Sequence, residues 1–257
     1  MFRISVAPEE IDNLPLGLFH GEVKVIDKPG LEYERAVFYL RRQKILGFDT
    51  ESRPVFSPGQ RNNGVALLQL SGPNRAYLFR LQTLGMRNSL CSILSTDKII
   101  KVGAACLDDV RGLQRLHGFK AAGFVDLQKI AWEWGIRDKS VKKLAANILG
   151  CRISKAQQLS NWEAPTLTEA QCRYASTDAW VCREMYIKLL ASERNPLTPE
   201  EMLPPQDREA RQKAQERKEA NREEQQKREN AAARRRRRRH KKKQADNDKA
   251  DTQEGQG

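Results

Sequence analysis

Apolar and polar residues alternate along Phe19–Ile26, the period-two pattern of a half-buried strand. Leu31–Arg42 changes to helical spacing, and three more strand-like runs follow at Ile45–Glu51, Val65–Leu70 and Ala76–Leu81. Between the first two of these, Ser52–Gly64 reads as a loop from its Pro, Gly and Asn content. A helical stretch over Leu84–Leu94 leads to a short strand at Lys98–Gly103. From Cys106 onward helical spacing dominates, over Leu107–Leu116, Asp126–Trp134, Ser140–Leu149 and Thr168–Leu190. Thr168 and Gln171 stand at capping-box spacing, which gives the last helix a defined start. Strands early and helices late predict an α/β protein, a mixed central β-sheet flanked by helices.

The pattern stops after Pro196, Pro199, Pro204 and Pro205. Residues 206–257 contain no aromatic residue and no Leu, Ile, Val or Met, so they cannot bury a core. Arg208–Glu229 alternates charge signs, with Glu209/Lys213, Glu223/Lys227 and Glu224/Arg228 at i, i+4, which predicts at most an exposed, marginal helix. Arg234, Arg235, Arg236, Arg237, Arg238 and Arg239 follow, then His240, Lys241, Lys242 and Lys243, in a low-complexity setting read as disordered. The chain therefore divides into an N-terminal extension (1–17), a folded domain (18–191), a Pro-rich linker (192–205) and a charged tail (206–257) with its basic cluster at 234–243.

The formal charge of +13 is shared between the parts: the tail holds 18 Lys/Arg against 11 Asp/Glu, or +7, and the remainder carries +6. Basicity on both sides favours a polyanionic partner. Nucleic acid ranks ahead of a membrane surface because no amphipathic apolar face accompanies the tail charge, and basicity for solubility alone is the bland alternative. Six Arg and three Lys in one cluster suit contact with RNA, DNA or ribosomes without reading of sequence. Five cysteines, Cys91, Cys106, Cys151, Cys172 and Cys182, lie scattered with no Cys-x-x-Cys pair, as reduced core thiols do. The first residues lack the apolar run of a signal peptide, so a cytoplasmic protein is expected, with a nuclear address the alternative for a eukaryotic source.

Four carboxylates fall where apolar residues are expected. On a strand, Asp49 and Glu51 share a face with Ile45 and Gly47, while Leu46, Phe48 and Thr50 take the other. The bland account is that they mark the end of the strand. In the doublet that follows Leu107, helical spacing puts Asp109 on the side of Leu113 and Leu116, and Asp108 with Gly112 and Arg115. Tyr174, Asp178, Val181, Met185 and Leu189 form one stripe, with an acid inside it and a tyrosine one turn before. Alone, that aspartate is equally well explained as an acceptor for a neighbouring helix. Together, four acids in one cavity require compensation, and hard oxygen ligands suit two divalent cations, Mg²⁺ or Mn²⁺. Such a pair, about 3.5–4 Å apart, serves in-line phosphoryl displacement.

These residues resemble the DEDD superfamily of 3′–5′ exonucleases, in the tyrosine subclass that includes ribonuclease D and the Werner-type exonuclease domain. Phe48-Asp-Thr-Glu51, Val102-Gly103 through Asp109-Val-Arg-Gly-Leu113, and Tyr174-x-x-x-Asp178 carry the resemblance, supported by Ala66–Leu70, Ser140–Leu144 and Ser160-Asn-Trp162. It spans about residues 18–191. It implies a ribonuclease H-like fold and two-metal removal of nucleoside monophosphates from single-stranded 3′ ends of DNA or RNA. Asp49, Glu51 and Asp178 would then ligate one ion, with Asp49 bridging to a second completed by Asp109, and Tyr174 would orient the attacking water. The resemblance places Thr50 and the strand ending at Leu70 beside the terminal nucleotide, and Lys155, Asn161 and Trp162 near the phosphate backbone, Trp162 being equally compatible with the core. The doubled acid at Asp108 departs from the pattern, with a one-residue register shift as the alternative. The competing function is a catalytically weak or inactive nucleic-acid-binding adaptor on the same fold, with the tail supplying affinity; a small phosphoester hydrolase ranks third.

Overall fold

Six strands form one sheet in the order β1-β4-β3-β2-β5-β6: β1 (Glu22–Ile26), β2 (Ile45–Ser52), β3 (Val65–Ser71), β4 (Arg75–Arg80), β5 (Ile100–Gly103) and β6 (Phe124–Asp126). The computed structural model describes residues 1–54, 64–227 and 230. The neighbours β2/β3 and β3/β4 are antiparallel, whereas β1/β4, β2/β5 and β5/β6 are parallel, so the sheet is mixed as the order of elements predicts. The helices within residues 1–198 are α1 (Pro8–Asp12), α2 (Leu31–Arg41), α3 (Leu81–Leu84), α4 (Asn88–Leu94), α5 (Cys106–Leu116), α6 (Leu127–Ile130), α7 (Val141–Leu149) and α8 (Glu169–Leu190).

The two faces of β2 explain where the site lies. Leu46 and Phe48 enter a core cluster with Val37 and Leu40 of α2, Leu90 of α4 and Leu113 of α5. The alternate residues face α8, whose Val181, Met185 and Leu189 pack with Leu144 and Ile148 of α7 on Val102 of β5. Helix α8 lies tightly against β2 at Gly47, where a Cβ would stand 1.8 Å from the Ala179 carbonyl oxygen. Gly47→Ala must therefore lift α8 off the sheet. It is expected to cost on the order of 3 kcal/mol or to prevent folding; a thermal melt equal to that of the parent chain would contradict this packing.

Several elements differ from the sequence pattern. Leu81 opens α3 instead of closing a strand, and Gly85, at φ +73°, separates α3 from α4 where one helix over Leu84–Leu94 was expected. The expected helix Asp126–Trp134 is α6 followed by a 3₁₀ turn, Ala131–Trp134, which ends at Gly135 with φ +80°. Strand β6 is three residues long, too short to show an alternation. Residues 1–17 are packed: Val6 and Ile11 are buried against Ala146 of α7. Asp138 accepts hydrogen bonds from the Ser5 hydroxyl and the Val6 amide, both at 2.8 Å.

The described chain divides into two units, Met1–Thr198 and the segment from Pro199 onward. In the second, 205–227 is helical, in keeping with the charge alternation there. The cluster Arg234–Arg239 with Lys241–Lys243 and most of the Ser52–Gly64 loop lie outside the described residues. Among the described residues no helix is long and apolar enough to cross a membrane.

Candidate active site

Asp49 and Glu51 leave β2 on the side of α8, and Asp178 meets them from α8 itself. One oxygen from each lies within 4.8 Å of the others, a spacing at which three carboxylates can share a cation. The start of α8 is fixed by a capping box, the Thr168 hydroxyl accepting from the Gln171 amide at 3.2 Å and the Gln171 side chain accepting from the Thr168 amide at 2.9 Å.

Asp109 approaches from α5 but is not one of the three. The Thr50 hydroxyl donates to its Oδ1 at 2.6 Å. Ahead of it, Ala105 has φ +58°, the one non-glycine residue with positive φ among the described residues, and its amide donates to Asp126 Oδ1 at 3.0 Å. The same oxygen accepts the Gln128 amide at 3.0 Å, so one carboxylate ties the turn before α5 to the start of α6. Asp108 is exposed and pairs with Arg111 at 3.3 Å, which leaves Asp109 as the inward acid.

The electrostatics follow from crowding. Burial, then the charges of Asp178, Glu51 and Asp109, hold the Asp49 carboxyl well above the usual range. Burial, Asp178 and Asp109 push Glu51 up to about 8. Burial likewise raises Asp178 to about 7, against the opposing hydrogen bond from the Tyr174 hydroxyl and the charge of Lys155. Asp109 is raised by burial and held back by Thr50. The Tyr174 phenol is driven upward by burial and by Asp178, so it stays protonated and can donate. Hard oxygen donors that resist ionisation without a counter-charge match the needs of divalent cations.

Asp49, Thr50, Glu51, Lys155, Tyr174 and Asp178 line a cavity of about 340 Å³. Three residues expected as substrate contacts, Leu70, Asn161 and Trp162, do not line it. Leu70 is wholly buried on the opposite face, paired in register with Phe48 and packed in that core. Trp162 is 1% exposed among Leu67, Leu78 and Ala175, its ring 5.9 Å from that of Tyr174, so it supports the tyrosine from within the core. Asn161 is exposed outside the cavity lining, and its side-chain oxygen accepts the Glu163 amide at 3.1 Å. The cavity also takes in Gln128, Ser140, Lys142, Gln158 and Cys182, none of them singled out by the sequence pattern as site residues. Ser140 and Lys142 belong to the Ser140–Leu144 segment of the resemblance, and Cys182 stands one helical turn beyond Asp178, but neither signal marked them as site residues.

The profile of a 3′–5′ exonuclease family matches residues 31–192. The chain belongs to the 3′–5′ exonuclease family. Exonuclease 3′–5′ domain-containing protein 2 of Mus musculus is 30% identical to it over 211 residues, 71% of this chain and 32% of that protein. Ribonuclease D of Gluconacetobacter diazotrophicus is 30% identical over 155 residues, 59% of this chain and 38% of that one. This exonuclease-family chain thus spans about a third of the length of these two curated relatives. The crystal structure of Trypanosoma brucei RNase D in complex with RNA U12 aligns with a TM-score of 0.60 at 21% identity, over 68% of this chain and 64% of that one, and shares the ribonuclease H-like fold.

Proposed function

We propose that the chain is a metal-dependent 3′–5′ exonuclease of the tyrosine subclass, hydrolysing phosphodiester bonds at the 3′ end of single-stranded nucleic acid and releasing nucleoside monophosphates. The convergence of Asp49, Glu51 and Asp178 within 4.8 Å carries this reading. Two divalent cations, Mg²⁺ or Mn²⁺, would supply the Lewis acidity that activates water and balances charge on the reacting phosphate. Asp49, Glu51 and Asp178 would hold one, and Asp109, oriented by Thr50, would complete the site of the other with Asp49. Tyr174 orients the attacking water with its retained proton, and Lys155 faces Asp178 from the cavity wall, where a phosphate would meet it. The presence of all four acids favours an enzyme over an adaptor, because a binding-only site would have no use for so much buried negative charge against a polyanion.

On a 3′-labelled strand, Tyr174→Phe is expected to slow release about 10²-fold, the lower end of what a positioned proton donor or acceptor contributes. Asp108→Asn should match the parent chain. Parent-like rates for Tyr174→Phe would remove the tyrosine from the mechanism, and a dead Asp108→Asn would overturn the choice of Asp109.

The substrate class is supported by the relative named ribonuclease D, by the RNA held in the T. brucei RNase D structure and by the +13 charge. The tail then acts as a sequence-independent hold on phosphates. Removing residues 206–257 should flatten the fall of affinity with salt, since each phosphate neutralised adds about 0.7 to the log–log slope on single strands. Identical slopes for the two chains would exclude the tail from binding.

A further inference from the structure

A second and larger cavity, about 580 Å³, adjoins the acidic one and shares Ser154, Tyr174 and Asp178 with it. Its walls are chemically unlike those of the acidic cavity. Leu16, Leu18, Ala156 and Ala170 give it apolar sides, and Gln157 and Arg173 supply polar groups. Its volume lies within the range of about 300–1,000 Å³ typical of small-molecule sites.

The wall on the N-terminal side is built into the fold. Leu16 forms a parallel bridge with Arg152, the Gly17 amide donates to the Arg152 carbonyl at 2.9 Å, and the Arg152 amide donates to the Pro15 carbonyl at 2.9 Å. Gly17 permits this approach, since a Cβ there would stand 2.7 Å from Cys151 Sγ. Two residues on, the Phe19 amide donates to the Thr177 hydroxyl at 3.1 Å, which ties the segment to the turn of α8 that carries Asp178. The cavity is therefore preformed and in fixed register with the acids. Leu16 is nonetheless 41% exposed, an apolar side chain held open beside a charged centre.

We infer that this cavity is a nucleobase site, which receives the base of a nucleotide flanking the scissile phosphate and makes the N-terminal segment Leu16–Leu18 part of the substrate-binding surface. The inference rests on the exonuclease reading above. A phosphodiester placed at Asp178 and Tyr174 has a nucleoside on each side. The polar cavity with Lys142 and Lys155 suits phosphate, and the apolar cavity across the shared tyrosine suits a flat aromatic ring. A base stacked on the Tyr174 ring and packed against the aliphatic walls can be any of the four, as removal of successive nucleotides requires. Arg173, already paired with Glu169 at 2.5 Å, stands at the same cavity within reach of a base edge or a further phosphate.

The test uses full-length chains carrying Leu16→Asn or Ala156→Gln, both exposed positions and both changes without charge, with melting curves confirming that each folds like the parent. Affinity is read in EDTA, where no hydrolysis proceeds, from the fluorescence of 2-aminopurine near the 3′ end of a single strand. Each variant should weaken binding about tenfold, the worth of one stacked base. With metal present, each should raise KM by a similar factor with little change in kcat. On a strand made abasic at the two 3′-terminal nucleosides, variants and parent should bind alike. Unchanged affinity and KM on the intact strand would overturn the inference, as would an equal loss on the abasic one. If the parent binds the strand with these variant effects but never shortens it, the exonuclease reading fails and the nucleobase site stands. If it neither binds nor shortens it, both fail.

Discussion

Asp49→Asn is expected to abolish hydrolysis, with a fall in kcat of about 10³-fold or more, while the folded chain survives. Asp49 is the acid on which the others converge: Asp178, Glu51 and Asp109 all act on its carboxyl, from three separate elements of the fold. Asparagine preserves shape and one oxygen but removes the charge that would hold a cation between the two sites. Loss of a preorganised electrostatic contact at a reacting centre costs about 10²–10³-fold, and loss of a shared metal ligand costs at least as much. Single-turnover rates on a 3′-labelled strand at saturating Mn²⁺ read this directly. A rate within tenfold of the parent would remove Asp49 from the chemistry.

The second large effect is on stability. Without metal, the protein should become less stable as pH rises from about 4 to about 8, the reverse of the usual behaviour of paired carboxylates. The unfolded chain releases the protons of Glu51 and Asp178 near their ordinary values of 4.5 and 3.8, whereas the folded chain keeps them until about 8 and about 7. In that window the native state binds more protons than the unfolded one, so stability falls with pH and levels off above the folded values. Shared among coupled groups, the loss is on the order of 3 kcal/mol. Mg²⁺ or Mn²⁺ should restore it, adding about 2.7 kcal/mol at a hundredfold excess over Kd, and more at pH 8 than at pH 5 because protons compete for the same oxygens. Asp49→Asn should melt higher than the parent in EDTA at pH 8 and respond less to metal. Melting curves with the same pH slope in EDTA and in Mn²⁺ would contradict this account of the four acids.

Much of the site was legible because charge is conspicuous against apolar periodicity. Asp178 interrupts a stripe of Val181, Met185 and Leu189, and the same period separates Asp109 from Asp108. The alternation through Gly47, Asp49 and Glu51 put both acids on the face that α8 covers. Leu70, expected beside the terminal nucleotide, and Trp162, for which the core was the equal alternative, lie where no period speaks. Val65–Ser71 is buried at every position, so the sequence does not show which face Leu70 takes; the antiparallel register with Phe48 decides it. Trp162 sits between elements, and only the docking of that segment beneath Tyr174 makes it core. The same reason hides the contribution of residues 1–17, Ser140, Lys142, Ser154, Ala156, Gln157 and Gln158, whose places depend on tertiary packing; Lys155, in the same stretch, was legible only through the resemblance. Asp126, which anchors the turn before α5, reads in sequence as an ordinary helix start.

An acidic centre that removes nucleotides from a free 3′ end leaves a product pattern that no endonuclease or 5′–3′ exonuclease can give. The most direct measurement is a time course on a single strand labelled at its 5′ end, beside the same strand labelled at its 3′ end, with Mn²⁺ or Mg²⁺ and with Asp49→Asn as control. The 5′-labelled strand should shorten one nucleotide at a time, the 3′ label should appear at once as a mononucleotide, and Asp49→Asn should do neither. Immediate release of the 5′ label, internal cuts without a ladder, or equal shortening by Asp49→Asn would contradict the exonuclease reading.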